Sequence, residues 1–225
     1  MADKKAFTVL IVDDHPVVRQ GLRQLMSNDP LLTICGETDN AAECISLIEA
    51  VSPDVILTDI SLCGTDGIEL TKNVRQINPN IPILLFSIHG EDLYAERALA
   101  AGANGYVMKQ ENPEVLLKAI HKVLSGEIFL SEEMTSRMLR KMSGSSLLSE
   151  NPAGCGMENL SDRELEVFEL IGSGLSTRRI AEKLNLSVKT IETYRLHIKE
   201  KLELRDATEL THHAVHWVEV ASRSA

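Results

Sequence analysis

Aromatic side chains are scarce in this 225-residue chain: one Trp, three Tyr and four Phe, 4% of the residues. With 44% apolar residues overall, that fits a soluble globular protein. No apolar stretch approaches the ~20 residues that span a bilayer, so a membrane protein is not expected. The opening Met1-Ala2-Asp3-Lys4-Lys5 leads into an apolar strand pattern and does not read as a signal peptide. Only four cysteines are present (Cys35, Cys44, Cys63 and Cys155), none at CxxC spacing. Reduced thiols in a cytoplasmic protein are the expectation; Cys63, close to Asp59, reads as a loop residue before it reads as a redox group.

Positive charge is also short, with 23 Lys/Arg against 33 Asp/Glu, and it is unevenly spread. Residues 1–130 carry 10 basic and 18 acidic side chains, whereas residues 176–205 carry 8 basic and 4 acidic. A basic patch inside an acidic chain points to nucleic acid contact more than the overall charge does.

What is there is a repeat of strand and helix patterns. Short apolar runs end in carboxylates: Val9-Leu10-Ile11-Val12 leads into Asp13-Asp14, and Val55-Ile56-Leu57 leads to Asp59. Runs of this length read as buried parallel strands, whose C-terminal ends gather on one edge of a sheet. Three carboxylates on that edge repel one another unless a cation joins them, and a hard divalent ion such as Mg²⁺ suits oxygen ligands. Strands are expected at 8–12, 33–37, 55–59, 83–87 and 105–108, with helices at 17–27, 41–51, 67–77, 93–101 and 113–125. Five such units predict an α/β domain with a five-stranded parallel, doubly wound sheet over residues 1–127. Gly102 sits where a helix end needs a left-handed residue.

Residues 128–157 read as a linker with one helix at 131–142; from Ser143 to Gly156 the chain is rich in turn formers and has no periodicity. Residues 158–225 are purely helical in pattern and predict an all-α, four-helix unit. Ser161-Asp162-Arg163-Glu164 is a capping box, and Gly172-Ser173-Gly174 ends the helix it opens. Ser176 starts a second helix, Asn185-Leu186 makes a turn, and Ser187 caps a third: helix, short turn, helix, the arrangement that puts a helix into a DNA groove. On the third helix, Val188, Ile191, Tyr194, Ile198 and Leu202 share a stripe expected to be buried. Lys189, Thr193, Leu196 and Glu200 lie opposite, with Glu192 and Lys199 on a flank; an ordinary solvated surface is the alternative reading of that face. Ala207, Leu210, Ala214, Trp217 and Ala221 form a stripe on the last helix that fits either a dimer contact or the core.

These residues resemble two joined modules. Asp13-Asp14, Asp59, Asp66-Gly67, Ser87 and Gly105-Tyr106-Val107-Met108-Lys109 resemble the receiver domain of two-component response regulators. Leu160-Ser161-Asp162-Arg163-Glu164-Leu165-Glu166-Val167, Gly174-Leu175-Ser176, Ile180-Ala181, Leu184, Ser187 through Glu192 and Lys201-Leu202 resemble the LuxR-type helix-turn-helix of the NarL/FixJ subfamily. The resemblance covers nearly the whole chain. It implies strand order 2-1-3-4-5, Asp59 as phosphoacceptor, and Mg²⁺ held by Asp13, Asp14, Asp59 and the main-chain carbonyl of Ser61. It further implies that Lys109 and Ser87 contact the phosphoryl group and that Tyr106 switches rotamer on the face partners read. The implied protein is no enzyme beyond phosphorylating and slowly dephosphorylating its own aspartate. A histidine kinase would be its donor and double-stranded DNA its target, bound as a homodimer in the cytoplasm. Lys189, Glu192, Thr193 and Leu196 would face bases, and Arg178, Arg179, Thr190, Arg195 and Lys199 phosphates.

Each residue has a plainer reading: Lys109 as a snorkelling surface lysine, Tyr106 as core, Ser87 as a cap, Asp13 or Asp14 as a helix N-cap. Three rival functions also stand at this point: a phosphorylation-gated protein–protein switch, a phosphatase using Asp59 as nucleophile, and an unphosphorylated DNA binder. The chain departs from its relatives at Cys63, where receivers usually carry proline, at Arg179, where the second helix usually has a capping glutamate, and at Glu192, where lysine is common.

Overall fold

The computed structural model describes residues 6–62, 65–143 and 156–223. The chain divides into two units, Met1–Met142 and Ser143–Ala225. No helix among the described residues is long and apolar enough to cross a membrane. Cys63, Cys155 and most of the turn-rich linker lie outside the described residues.

The first unit is built on strands β1 (Phe7–Val12), β2 (Leu32–Thr38), β3 (Val55–Thr58), β4 (Ile83–Ser87) and β5 (Gly105–Met108). All pair in parallel, in the order β2-β1-β3-β4-β5. Helices α1 (Pro16–Met26), α2 (Ala41–Val51), α3 (Gly67–Ile77), α4 (Glu91–Ala100) and α5 (Pro113–Leu124) link them. Side chains alternate along a strand, so Val9 and Ile11 join one core. That core includes Leu22 and Met26 of α1, Leu57 and Leu84 of the neighbouring strands, and Leu116, Ile120 and Val123 of α5. Helices α2, α3 and α4 pack side by side, and right-handed crossovers set them on the opposite face. Covered on both sides, the central strands consist almost wholly of Val, Ile and Leu.

Local chemistry fixes the helix ends. Asn40, Asp66 and Asn112 accept hydrogen bonds from first-turn amides of α2, α3 and α5, and Pro16 and Pro113 occupy the first helical turn. Gly102 takes φ +100 just after α4, as expected. Helix α4 begins at Glu91, two residues earlier than its apolar pattern implies, because Gly90 caps it with no side-chain signal. A sixth helix, α6 (Glu132–Met142), follows and belongs to this first unit.

The second unit opens on a short 3-10 turn at Met157–Asn159, which carries no periodic signal. It continues through α7 (Asp162–Gly172), α8 (Thr177–Lys183), α9 (Val188–Lys201) and α10 (Ala207–Arg223). The capping box at Ser161 and Glu164 is complete. Leu165, Val167, Phe168 and Ile171 of α7 are buried with Ile180 and Ala181 of α8 and Ile191 and Ile198 of α9. A Cβ on Gly172 would lie 2.4 Å from the Ala214 carbonyl oxygen, so glycine lets α7 and α10 approach closely. Leu210, Ala214 and Trp217 are buried, and Trp217 meets Phe168 edge-on at 5.8 Å. Leu210, Ala214 and Trp217 of the last-helix stripe thus belong to the core, whereas Ala207 is exposed and the Ala221 side chain lies outside the described residues. Val188 is also corrected, being 43% exposed: it is the first residue of α9, with no preceding turn to pack beneath it.

Candidate functional site

Strands β1, β3 and β5 end on the same edge of the sheet, with β4 lying between β3 and β5, and deliver Asp13, Asp59 and Lys109 to one place. Lys109 Nζ lies 2.6 Å from Asp59 Oδ2 and 2.7 Å from Asp13 Oδ2. Both carboxylates are 2% exposed. Asp14 is half-buried beside them, and ligand atoms of Asp13, Asp14, His15 and Asp59 all lie within 4.8 Å of one another. The Ile60 amide donates to Asp59 Oδ1 at 2.7 Å, fixing the carboxylate from the other side. Burial raises the Asp59 pKa above the ordinary carboxylate value; Lys109 opposes that shift and Asp13 adds to it.

The surrounding chain is shaped for this cluster. A Cβ on Gly67 would lie 1.9 Å from the Asp59 carbonyl oxygen, so only glycine permits α3 to start there. Neither Asp13 nor Asp14 is a helix N-cap. That position belongs to His15, whose amide donates to Asp13 Oδ1 at 2.8 Å. His15 Nδ1 also sits 2.7 Å from Asp14 Oδ1, a partner that sequence reasoning passed over although its position next to the acidic pair was a usable signal. The Arg19 guanidinium donates to the Asp13 carbonyl oxygen.

Ser87 and Tyr106 stand one layer away and meet at His89. The His89 amide donates to Ser87 Oγ at 3.4 Å, and the Tyr106 hydroxyl donates to the His89 carbonyl oxygen at 2.8 Å. Tyr106 is 1% exposed, its side chain turned inward. The Ser61 hydroxyl pairs with His89 Nε2 at 2.9 Å. Cys44 is buried, which pushes its thiol up to about 12 and makes it inert as a nucleophile.

Chemically, two buried carboxylates and a third beside them face one lysine. That donor set, all oxygen apart from His15 at its rim, fits a hard divalent cation, and a second positive centre would offset the remaining negative charge. Gathering one nucleophilic carboxylate with a lysine suits transfer of an anionic group.

In the second unit, α8, the turn at Asn185 (φ +54) and α9 form the helix-turn-helix. Lys189, Glu192, Thr193 and Leu196 are exposed along one side of α9, Leu196 at 48% despite its apolar side chain. Arg178 and Arg179 of α8 are exposed, whereas Thr190, Arg195 and Lys199 are half-buried. Arg195 lines a cleft with Ile171, Leu175, Thr177 and Thr211, and burial lowers its pKa. Thr190 bonds Ser187 Oγ at 2.7 Å. A brace that sequence reasoning missed holds α9 in place: Glu164, 3% exposed, accepts from Lys201 Nζ at 2.6 Å and from the Ser161 amide at 2.7 Å. Its only sequence signal was the capping box, which explains the second contact and not the first.

Comparison with known proteins agrees with both halves. Residues 9–121 match the response regulator receiver domain, and residues 158–214 match the luxR family of bacterial regulatory proteins. The nitrate/nitrite response regulator NarL of Escherichia coli K12 is 33% identical over 209 residues, covering 93% of this chain and 95% of NarL. Response regulator GacA of Pseudomonas aeruginosa is 32% identical over 90% of this chain and 92% of its own length. Among solved structures, Salmonella typhimurium RcsB aligns at TM-score 0.65 and 27% identity, covering 95% of this chain and 98% of that one. RcsB bound to promoter rprA in the presence of the phosphomimetic BeF3− aligns at TM-score 0.60 and 28% identity, covering 94% and 99%. The chain thus belongs to the NarL/FixJ family of two-component response regulators, DNA-binding transcriptional regulators that join a receiver to a luxR-type helix-turn-helix.

Proposed function

We propose that Asp59 accepts a phosphoryl group from a histidine kinase and that this modification turns on DNA binding by α9. The observation that carries the reading is the buried Asp59 carboxylate held 2.6 Å from Lys109 at the edge where β1, β3 and β5 end. In the transfer, an Asp59 oxygen attacks phosphorus, the bond from phosphorus to the imidazole nitrogen breaks, and its electron pair returns to the donor histidine. Lys109 neutralises charge on the phosphoryl oxygens, and the Ser87 hydroxyl, released from the His89 amide, hydrogen-bonds another. Asp13, Asp14, Asp59 and the Ser61 carbonyl would hold Mg²⁺. When bound, that ion supplies further neutralisation of the transferring group. Once Ser87 turns toward Asp59, the His89 loop shifts, and Tyr106, tied to the same residue, follows.

The output side of the reading rests on the basic helix-turn-helix and on the relatives. Lys189, Glu192, Thr193 and Leu196 form the base-reading set; Glu192 accepts from a cytosine amino group and Leu196 meets a thymine methyl. Arg178, Arg179, Thr190, Arg195 and Lys199 meet phosphates. Solved RcsB structures include two dimers bound to two parallel DNAs, which supports a homodimer on DNA here. Acting on DNA places the protein in the cytoplasm. Self-modification of Asp59 is the only chemistry assigned.

The test is to treat the full chain with acetyl phosphate and Mg²⁺ and weigh it. Intact protein gains one phosphoryl group and the Asp59→Asn variant gains none. Equal gain by both would overturn the assignment. Titrating both samples with duplex DNA across a salt series then tests the output half, since phosphate contacts require affinity to fall steeply with salt.

A further inference from the structure

Residues 128–142 were expected to be part of a linker, yet this stretch is fastened to the receiver's sheet edge and to α4. Phe129 extends the sheet by one residue beyond β5: its amide donates to the Asn104 carbonyl oxygen, and its carbonyl oxygen accepts from the Tyr106 amide, both at 3.0 Å. The fit is close, since a Cβ on Gly105 would lie 2.7 Å from the Phe129 carbonyl oxygen. Ser131 then donates its amide to Glu91 Oε1 at 2.9 Å, and its hydroxyl caps α6 by accepting from Met134. Along α6, Arg137 pairs with Asp92 at 2.7 Å and Lys141 with Glu96 at 2.6 Å, while Met134 is buried.

Two features make this attachment responsive. Its grip falls on the parts nearest the phosphoacceptor's companions: Glu91 and Asp92 open α4 directly after the Ser87–His89 segment, and Phe129 is bonded to Tyr106 itself. Both ion pairs are open to solvent, and exposed pairs hold weakly; Met134 is the one described residue of α6 that is fully buried.

We propose that residues 127–142 are a strap that phosphorylation releases: docked along α4 and β5 in the unmodified chain, detached when Asp59 carries a phosphoryl group. The proposal rests on the reading of Asp59 as phosphoacceptor. Movement of the His89 loop displaces the first turn of α4 and shifts Tyr106, and the strap loses its ties at Glu91, Asp92 and Phe129 together. Residues 127–142 thereby carry the signal out of the receiver.

Amide hydrogen exchange on the full chain tests this, with and without acetyl phosphate and Mg²⁺, alongside mass measurement of phosphoryl gain. Exchange across residues 132–142 is expected to rise at least about tenfold on phosphorylation, and not to rise in Asp59→Asn. A second variant, Arg137→Glu with Lys141→Glu, changes only exposed side chains and should show fast exchange in 132–142 without any donor. Phosphoryl gain with unchanged exchange in 132–142 overturns the strap alone. Wild-type exchange in the charge-reversed variant overturns it as well. No phosphoryl gain by the intact chain overturns the strap together with the phosphoacceptor reading.

Discussion

Lys109 Nζ bridges Asp59 and Asp13 at 2.6 and 2.7 Å, so one ammonium ties together the ends of three strands far apart in sequence. Removing it leaves two buried carboxylates facing each other and takes away a charge aimed at the transferring oxygens. Lys109→Gln is expected to slow phosphoryl uptake from acetyl phosphate by about a hundredfold, the usual effect of losing one such stabilising group. Timed mass measurements of phosphoryl gain check this.

Gly67→Ala tests whether backbone packing positions the phosphoacceptor. The added methyl would sit 1.9 Å from the Asp59 carbonyl oxygen, with backbone and no flexible side chain in its way. Either α3 or the end of β3 must move, at a cost of about 1–3 kcal/mol. Urea denaturation followed by circular dichroism should show a lower stability for the first unit. Uptake should fall even in the fraction that remains folded.

Glu164 gives the second unit a pH dependence of definite sign. Burial alone raises its pKa, but hydrogen bonds from Lys201 and Ser161 outweigh burial and hold it below the ordinary carboxylate value. A depressed native pKa means the unfolded chain binds protons more readily. The contribution to stability is therefore present above the unfolded value and lost as pH falls through the native one. Glu164→Gln should cost about 1–2 kcal/mol at neutral pH, and its difference from the intact chain should shrink in acid. Trp217, the only tryptophan, is buried in this unit, so its fluorescence reports the unit's unfolding alone.

Much of this architecture is legible in the residue order because the periodicities are strong and the punctuation explicit. The apolar runs before Asp13 and Asp59 mark β1 and β3, and Ser161, Asn185 and Ser187 mark helix ends in the second unit. The acidic trio follows from strand ends alone, since a parallel sheet gathers them on one edge. What escapes the sequence depends on contacts between distant residues. Nothing in 127–142 announces that Phe129 will pair beside Gly105 or that Arg137 and Lys141 will meet Asp92 and Glu96. The stripe at Leu210, Ala214 and Trp217 fits a dimer as well as a core until α7 is seen against it. Val188 misled because periodicity assumes a helix without ends.

The exposed side of α9 separates residues that read from residues that hold. Glu192 and Arg179 are both exposed and lie on different helices of the helix-turn-helix. If Arg179 meets a phosphate, Arg179→Ala weakens binding equally on every duplex and lowers the salt dependence by about one counterion. If Glu192 accepts from a cytosine amino group, Glu192→Gln leaves the salt dependence nearly unchanged and relaxes the choice at one base pair by about 1–3 kcal/mol. Binding measured on a panel of duplexes at several salt concentrations distinguishes the two patterns. Exchange of the two patterns between the variants would mean that α8 reads sequence and α9 only anchors, reversing the roles given to these helices.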